Sequence, residues 1–436
     1  MLRVPEAFRL LYAKRQSLVK PGLERVKEAC SLLGGLAHAT PSVVIGGTNG
    51  KGSTAGMLWR LYAAKGERVG LFTSPHLISF SERIRITDID VSEDLIEREL
   101  SLIQRSLPAE LYDEMTFFEL TTVLALKIFK DADCALNILE VGLGGRLDST
   151  NIGDPLATAV VSIGMDHGNL LGHTPALIAS EKCGIFRPGV PVFWGGKSAG
   201  AAEADAVIRE EAALMGAKLL EGGVDFSWEK SSATAPNLVK TGSAYLRDNF
   251  ALAEAMMLEI QLQRGSALTT AAADVKKALI AYDQPDLPWP PTLLGRFQMI
   301  QTRFVRGDAP MSQPLLLDVC HNVDGAIAFV KALRERFGPQ VKLPGLVSMM
   351  RDKDTAGIID ILQGVLAPLV LFRNENERSA YYENDFAAAW KKAAEHFPIS
   401  AHFPWVVCGS VMAVGEVFAY LGEHKIATDG NPAKMR

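Results

Sequence analysis

Residues 42–74 read SVVIGGTNGKGSTAGMLWRLYAAKGERVGLFTS. The two ends of this stretch, SVVIG and RVGLFTS, are short apolar runs bounded by turn formers, as buried strands are. STAGMLWRLYAAKG between them suits a helix. Strand, glycine loop, helix and strand in that order open an α/β domain built on a parallel sheet. In the loop, Gly46-Gly47-Thr48-Asn49-Gly50-Lys51-Gly52-Ser53, glycines let successive backbone N–H groups turn toward an anion. The helix that follows presents its positive end, and Lys51 adds a point charge. Gly52 separates Lys51 from Ser53, so the spacing departs from the common GxxxxGK[ST] form. A glycine-rich turn with a solvated lysine is the plain alternative; the order strand, loop, lysine, helix favours phosphate binding.

Two further runs, ALNILEV to Val141 and ATAVVSIG to Gly164, read as buried strands of the same sheet. Ligands of open parallel sheets gather at the carboxyl ends of strands. The residues there are Ser74 after GLFT, Glu140 closing LNIL, and Asp166-His167 after SIGM. Magnesium takes oxygen ligands, waters and substrate phosphates, so Ser74 and Glu140 suit it and His167 is a less usual partner. Each alone could be a cap or a buried hydrogen-bonding group, but their shared placement points to a metal. GLGGRL at 142–147 has Leu147 where a dinucleotide fingerprint needs glycine, which removes the main support for a dehydrogenase. In TPALIASEKCGIF, Thr174 suits an N-cap, Pro175 the first turn and Gly184 the stop, which predicts one short helix with Lys182 in its last turn.

The proline-rich DQPDLPWPPTLLGR reads as an interdomain linker, with a boundary near Gly295. Beyond it PLLLDV, KLPGLVSM, PLVLF and PWVVCGS read as strands of a second, smaller α/β unit, and 198–220 as a helix. With 436 residues, two domains are expected. A net charge of -5 gives no cationic field for nucleic acid or anionic lipid. The five cysteines, Cys30, Cys134, Cys183, Cys320 and Cys408, form no CxxC pair, which suits a reducing compartment. No apolar run is long enough to span a bilayer, and the charged amino terminus lacks the core of a signal peptide. The expected location is the cytoplasm.

The phrases GTNGKGS, TSPHL with SERIRI, TFFELTT, LEVGLGGRLDSTN, MDH, IASEKCGIFRPG, GRFQ and LDVCHN occur in this order. Together they resemble the folylpolyglutamate synthase and dihydrofolate synthase family, a branch of the Mur-type ligases. The resemblance implies a P-loop-type parallel-sheet ATPase and pterin-binding domain over 1–294, then a Rossmann-like ligase domain over 295–436. It implies an ATP-dependent enzyme that adds L-glutamate to dihydropteroate, to reduced folates or to both through an acyl phosphate, the bifunctional form being preferred. ATP would lie between the domains, with Asn49, Gly50, Lys51, Gly52 and Ser53 on its phosphates and Asn249, Arg296 and Asp318 as further contacts. Magnesium, expected as two ions, would be held by Ser74, Glu140, His167 and a carbamate on Lys182. The pterin would meet Leu23, Glu24, Arg25, Arg83, Thr116, Phe117, Phe118, Glu119, Leu147, Asp148 and Ser149. Phe117 and Phe118 can offer a ring face, and Glu119 or Asp148 can accept from amino groups, although paired phenylalanines in a helix also suit a core.

Val323 stands where many members have proline after the HN pair, and His321 is kept as a contact for phosphate or glutamate. Cys320 beside it reads as a buried structural residue rather than a nucleophile. The expected partners are small molecules, namely pteroate or folate, L-glutamate and ATP, with no nucleic acid, no membrane and a monomeric chain. Two rivals stay open: a glutamyl ligase acting on a different acid, and a nucleotide switch that uses the loop without ligation.

Overall fold

A computed structural model describes residues 6–14, 22–87, 89–196, 201–231, 243–267, 270, 272–274, 276–277, 294–306, 309–376, 378–380, 382–423 and 428–429. The proline-rich linker at 283–293 lies outside the described residues. The chain divides into two compact units, one made of Met1–Ala235 and Asp248–Tyr282, the other of Pro236–Arg247 and Asp283–Arg436.

The first unit is built on eight strands: β1 (Ser42–Gly46), β2 (Val69–Phe72), β3 (Ile84–Ile86), β4 (Ile89–Asp90), β5 (Leu136–Glu140), β6 (Pro155–Val160), β7 (Val192–Trp194) and β8 (Leu219–Glu221). Their order across the sheet is β4-β3-β2-β5-β1-β6-β7-β8. The β2, β5, β1, β6, β7 and β8 pairings are parallel, and β3 and β4 add an antiparallel edge. Every residue of β1, β2 and β5 is buried, which is why those segments read as largely apolar runs. The helix Lys51–Ala64 follows β1, and nearly all of its residues are buried. The helix Phe117–Asp131 packs Leu120, Val123, Leu124 and Ile128 into the core on one face of the sheet. A separate core, with Val160, Ile178, Ile185 and Trp194, gathers around the helix Pro175–Cys183. That helix begins and ends where the sequence places it, with the Thr174 hydroxyl accepting from Leu177 N at 3.2 Å and Gly184 as the C-cap.

The second unit holds a six-stranded sheet of β9 (Gln298–Arg306), β10 (Ala309–Asp318), β11 (Leu343–Val347), β12 (Leu366–Leu371), β13 (Trp405–Cys408) and β14 (Thr428–Asp429), in the order β12-β11-β13-β10-β9-β14. The four expected strands are β10 to β13 and pair in parallel, while β9 and β14 run antiparallel. Both units are therefore α/β, as expected, each with an antiparallel margin that the apolar runs do not announce.

Candidate active site

Sheet register assembles the first cluster. Ile45 pairs with Glu140 and Phe72 with Leu139, so the ends of β1, β2 and β5 bring the glycine loop, Ser74 and Glu140 side by side. Glu140 is buried, and its Oε2 accepts from Ser74 N at 2.9 Å. On the other flank Gly46 pairs with Val160, which leads into Ser162 to His167. The loop is clamped to that segment: Thr48 N donates to Ser162 O at 2.7 Å, and Asn49 N to Ser162 Oγ at 2.9 Å. Ser162 Oγ returns a hydrogen bond to Asn49 O at 3.0 Å, and Gly164 N donates to Thr48 Oγ1 at 3.0 Å. Gly50 adopts φ 83°, and a Cβ there would lie 2.9 Å from Asn249 Oδ1, so only glycine fits and Asn249 is placed against the loop.

Two lysines meet this loop. Lys51 Nζ donates to Thr48 O at 3.1 Å. Lys182, 4% exposed, donates to Gly47 O at 3.0 Å. Burial first, then the charge of Lys51, lowers the Lys182 amine from 10.5 to about 7. Its position depends on the next loop. At Gly145 a Cβ would stand 2.8 Å from the carbonyl oxygens of Glu181 and Lys182, and Arg146 N donates to Glu181 O at 3.1 Å. The GLGGR turn thus seats directly on the helix end that carries Lys182.

His167 takes a left-handed conformation, φ 53°, with a half-exposed ring 3.8 Å from Asp166. Among the described residues no group of three or more His, Cys, Asp or Glu side chains could hold a metal by itself. The donor set of one buried carboxylate, a neighbouring serine and an imidazole nonetheless fits a hard cation that completes its shell with phosphate oxygens and water.

The residues expected around the pterin come together only in part. Arg25 Nη2 meets Glu119 Oε1 at 2.9 Å, while Glu119 Oε2 accepts from Thr116 N at 2.7 Å in a capping box. Glu119 is therefore engaged by its own helix start and by Arg25. Asp148 is likewise turned inward, accepting from Leu143 N at 2.9 Å and Thr150 Oγ1 at 2.6 Å, and burial raises its pKa. Ser149 beside it is also buried. Phe117 is a core residue, packed with Tyr12 and Phe80 at 5.9 and 6.2 Å. Phe118 is half-buried and lies against Gly142 and Phe72. Leu147 is 48% exposed, Glu24 is exposed, and Leu23 packs on the helical core.

Arg83 is buried, with its guanidinium 5.3 Å from the Phe117 ring centroid. Its Nε donates to His76 Nδ1 at 2.7 Å. An arginine only donates, so His76 must leave Nδ1 unprotonated. Burial and the charge of Arg83 hold His76 down to about 3. Sequence reasoning passed over His76, Thr48 and Ser162. His76 lies in TSPHL, but the signal that would have marked the other two is strand register, which a sequence does not display.

In the second unit Asp318 ends β10 and is buried among backbone donors, Arg296 is half-buried with Nη1 on Gly295 O at 3.4 Å, and His321 Nδ1 lies 3.1 Å from Val319 O. A hydrogen bond with Cys408, together with burial, pushes the Cys320 thiol well above its ordinary range, so it stays protonated.

The chain is 30% identical over 364 residues to the dihydrofolate synthase/folylpolyglutamate synthase of Haemophilus influenzae, covering 79% of this chain and 77% of that protein. It is 30% identical over 413 residues to the protein of the same name from Escherichia coli, covering 91% and 90%. The chain belongs to the dihydrofolate synthase/folylpolyglutamate synthase family. No protein-family model matches it. Among solved structures of the family, the bifunctional enzyme of Yersinia pestis superposes with a TM-score of 0.76 at 30% identity, covering 96% of this chain and 98% of that one. A bifunctional enzyme with Mn, AMPPNP and L-glutamate bound gives 0.75 at 29% identity, covering 96% and 98%. Among the described residues no helix is long and apolar enough to cross a membrane.

Proposed function

We propose that this chain is an ATP- and magnesium-dependent ligase that adds L-glutamate to dihydropteroate and to reduced folates. The observation that carries the reading is the convergence, at the ends of β1, β2, β5 and β6, of a clamped glycine loop, Lys51, Lys182 and the Ser74–Glu140 pair. A carboxylate is a poor electrophile because its negative charge repels an amine. Its oxygen attacks the γ-phosphorus of ATP, ADP leaves, and the acyl phosphate forms. The glutamate amine then attacks the acyl carbon, inorganic phosphate leaves, and the ammonium loses its proton. Lys51 and the backbone N–H groups of Gly50 to Ser53 neutralise charge building on the transferring group, beside Asn49, whose own N–H is held by Ser162. Magnesium, when bound, adds positive charge on the phosphate oxygens; Ser74, Glu140, His167 and Lys182 are its proposed holders.

Asn249, Arg296 and Asp318 are the further nucleotide contacts of this reading, and His321 touches phosphate or glutamate. Leu23 to Arg25, Arg83, Thr116 to Glu119 and Leu147 to Ser149 form the pterin side. There Arg83, Phe118 and Leu147 make the contacts, and Phe117, Glu119 and Asp148 shape the loops that carry them. Lys182 carries a carbamate: its neutral amine adds to carbon dioxide and releases a proton, turning a cation beside Lys51 into an anion. Five buried free cysteines and the family membership support a cytoplasmic location.

Phosphate release from ATP, measured with each substrate omitted in turn, tests the function. Release should require an acid and L-glutamate together, with dihydropteroate and tetrahydrofolate each serving as the acid. Equal turnover with ATP alone would replace the ligase by a nucleotide switch.

A further inference from the structure

Asp318 Oδ2 accepts from the Tyr245 hydroxyl at 2.8 Å and from Phe297 N at 2.8 Å, while Oδ1 accepts from Cys320 N at 2.9 Å. The two backbone donors sit beside functional candidates, since Phe297 follows Arg296 and Cys320 precedes His321. Arg296 stands between two left-handed residues, Gly295 at φ 70° and Phe297 at φ 49°. A phenylalanine keeps such a conformation only where its surroundings impose it. Here Gly295 N donates to Gln298 Oε1 at 2.8 Å and Val319 N to Gly295 O at 3.0 Å. The Phe297 ring is held edge-on by Tyr245 at 6.3 Å and by Phe329 at 5.9 Å.

We infer that Tyr245 is a positioning residue for Arg296, holding through Asp318 the strained turn that aims the guanidinium. The inference rests on the proposed reading of Arg296 as a contact of ATP. The phenol is well suited to the task, because burial and the neighbouring Asp318 keep it protonated and therefore a donor. A buried carboxylate needs its donors and counter-charge. Arg296 already supplies part of that counter-charge. Removing the hydroxyl leaves Asp318 to draw more heavily on Arg296, which pulls the guanidinium away from its ligand.

Tyr245→Phe removes the O–H and keeps the ring against Phe297. Initial rates at varied ATP, acid and glutamate should show KM for ATP raised about ten-fold, the order of one hydrogen bond to a charged group. The turnover number and the other two KM values should change less than about two-fold. The decisive arm repeats the substitution in an Arg296→Ala background, where it should have no further effect on KM for ATP. An unchanged KM in Tyr245→Phe, while Arg296→Ala raises it, overturns the role of Tyr245. The same ten-fold loss in both backgrounds also overturns it, because the effect then does not run through Arg296. If Arg296→Ala leaves KM for ATP unchanged, the reading of Arg296 fails and the inference falls with it.

Discussion

Replacing Lys182 by methionine tests the electrostatics of the loop without any substrate. The amine is 4% exposed and lowered from 10.5 to about 7, chiefly by burial. At about 1.4 kcal/mol per pKa unit, a protonated Lys182 costs the folded state about 5 kcal/mol. Methionine keeps the apolar stem but leaves the Gly47 carbonyl without its donor, a loss of about 1–2 kcal/mol. The variant should therefore be more stable than the wild type by about 3 kcal/mol near pH 6. Between about 7 and 10.5 the unfolded chain holds a proton that the folded chain has released, so wild-type stability rises with pH across that window. The variant's advantage shrinks accordingly and becomes a deficit of about 1–2 kcal/mol above the unfolded value of 10.5, where only the lost hydrogen bond remains. Urea unfolding followed by far-UV circular dichroism, in buffer free of nucleotide, magnesium and carbon dioxide, measures the difference at each pH. A difference that stays constant from about pH 6 to about pH 10 would refute the argument, since a pH-independent effect cannot come from the ammonium.

Lys51→Ala should abolish ligation with the unfolding midpoint nearly unchanged, because its side chain meets the loop rather than the core; a circular dichroism melt beside the rate assay separates the two. Glu140→Gln keeps the shape and loses the charge, so the magnesium concentration for half-maximal rate should rise at least about ten-fold, read from a metal titration. Lys182→Ala should lose activity and regain part of it when short carboxylates are added; a fully active alanine variant would remove the carbamate from the reaction.

The parts of the fold that were legible in the sequence are those whose burial is two-sided. β1, β2, β5 and β6 are covered on both faces and so appear as largely apolar runs. β9 is not legible because QMIQTRFVR mixes pairs of apolar residues with polar and charged ones and so shows neither an apolar run nor a clean alternation. β3 escaped because IRI is short and carries an arginine. In the site, spacing placed the backbone well and side-chain roles poorly. An acid three residues after threonine, as Glu119 is after Thr116, can be read equally as a cap or as a ligand. Only the Arg25 pairing and the capping box show that its oxygens are engaged. Asp148 has the same ambiguity, resolved by its hydrogen bonds to Leu143 and Thr150. Tyr245 was invisible for a different reason, since its partner lies 73 residues away.

The clamp between the glycine loop and Ser162 decides when the disorder of that loop is given up. Thr48 and Asn49 are fastened to the segment after β6 by backbone and hydroxyl groups that need no anion. Immobilising a residue's backbone costs about 1–2 kcal/mol, and here folding bears that cost once rather than every encounter with a nucleotide. On the proposed reading of the loop, arriving and departing phosphates find an already rigid cradle, and ADP leaves without the loop melting and being rebuilt in each catalytic cycle.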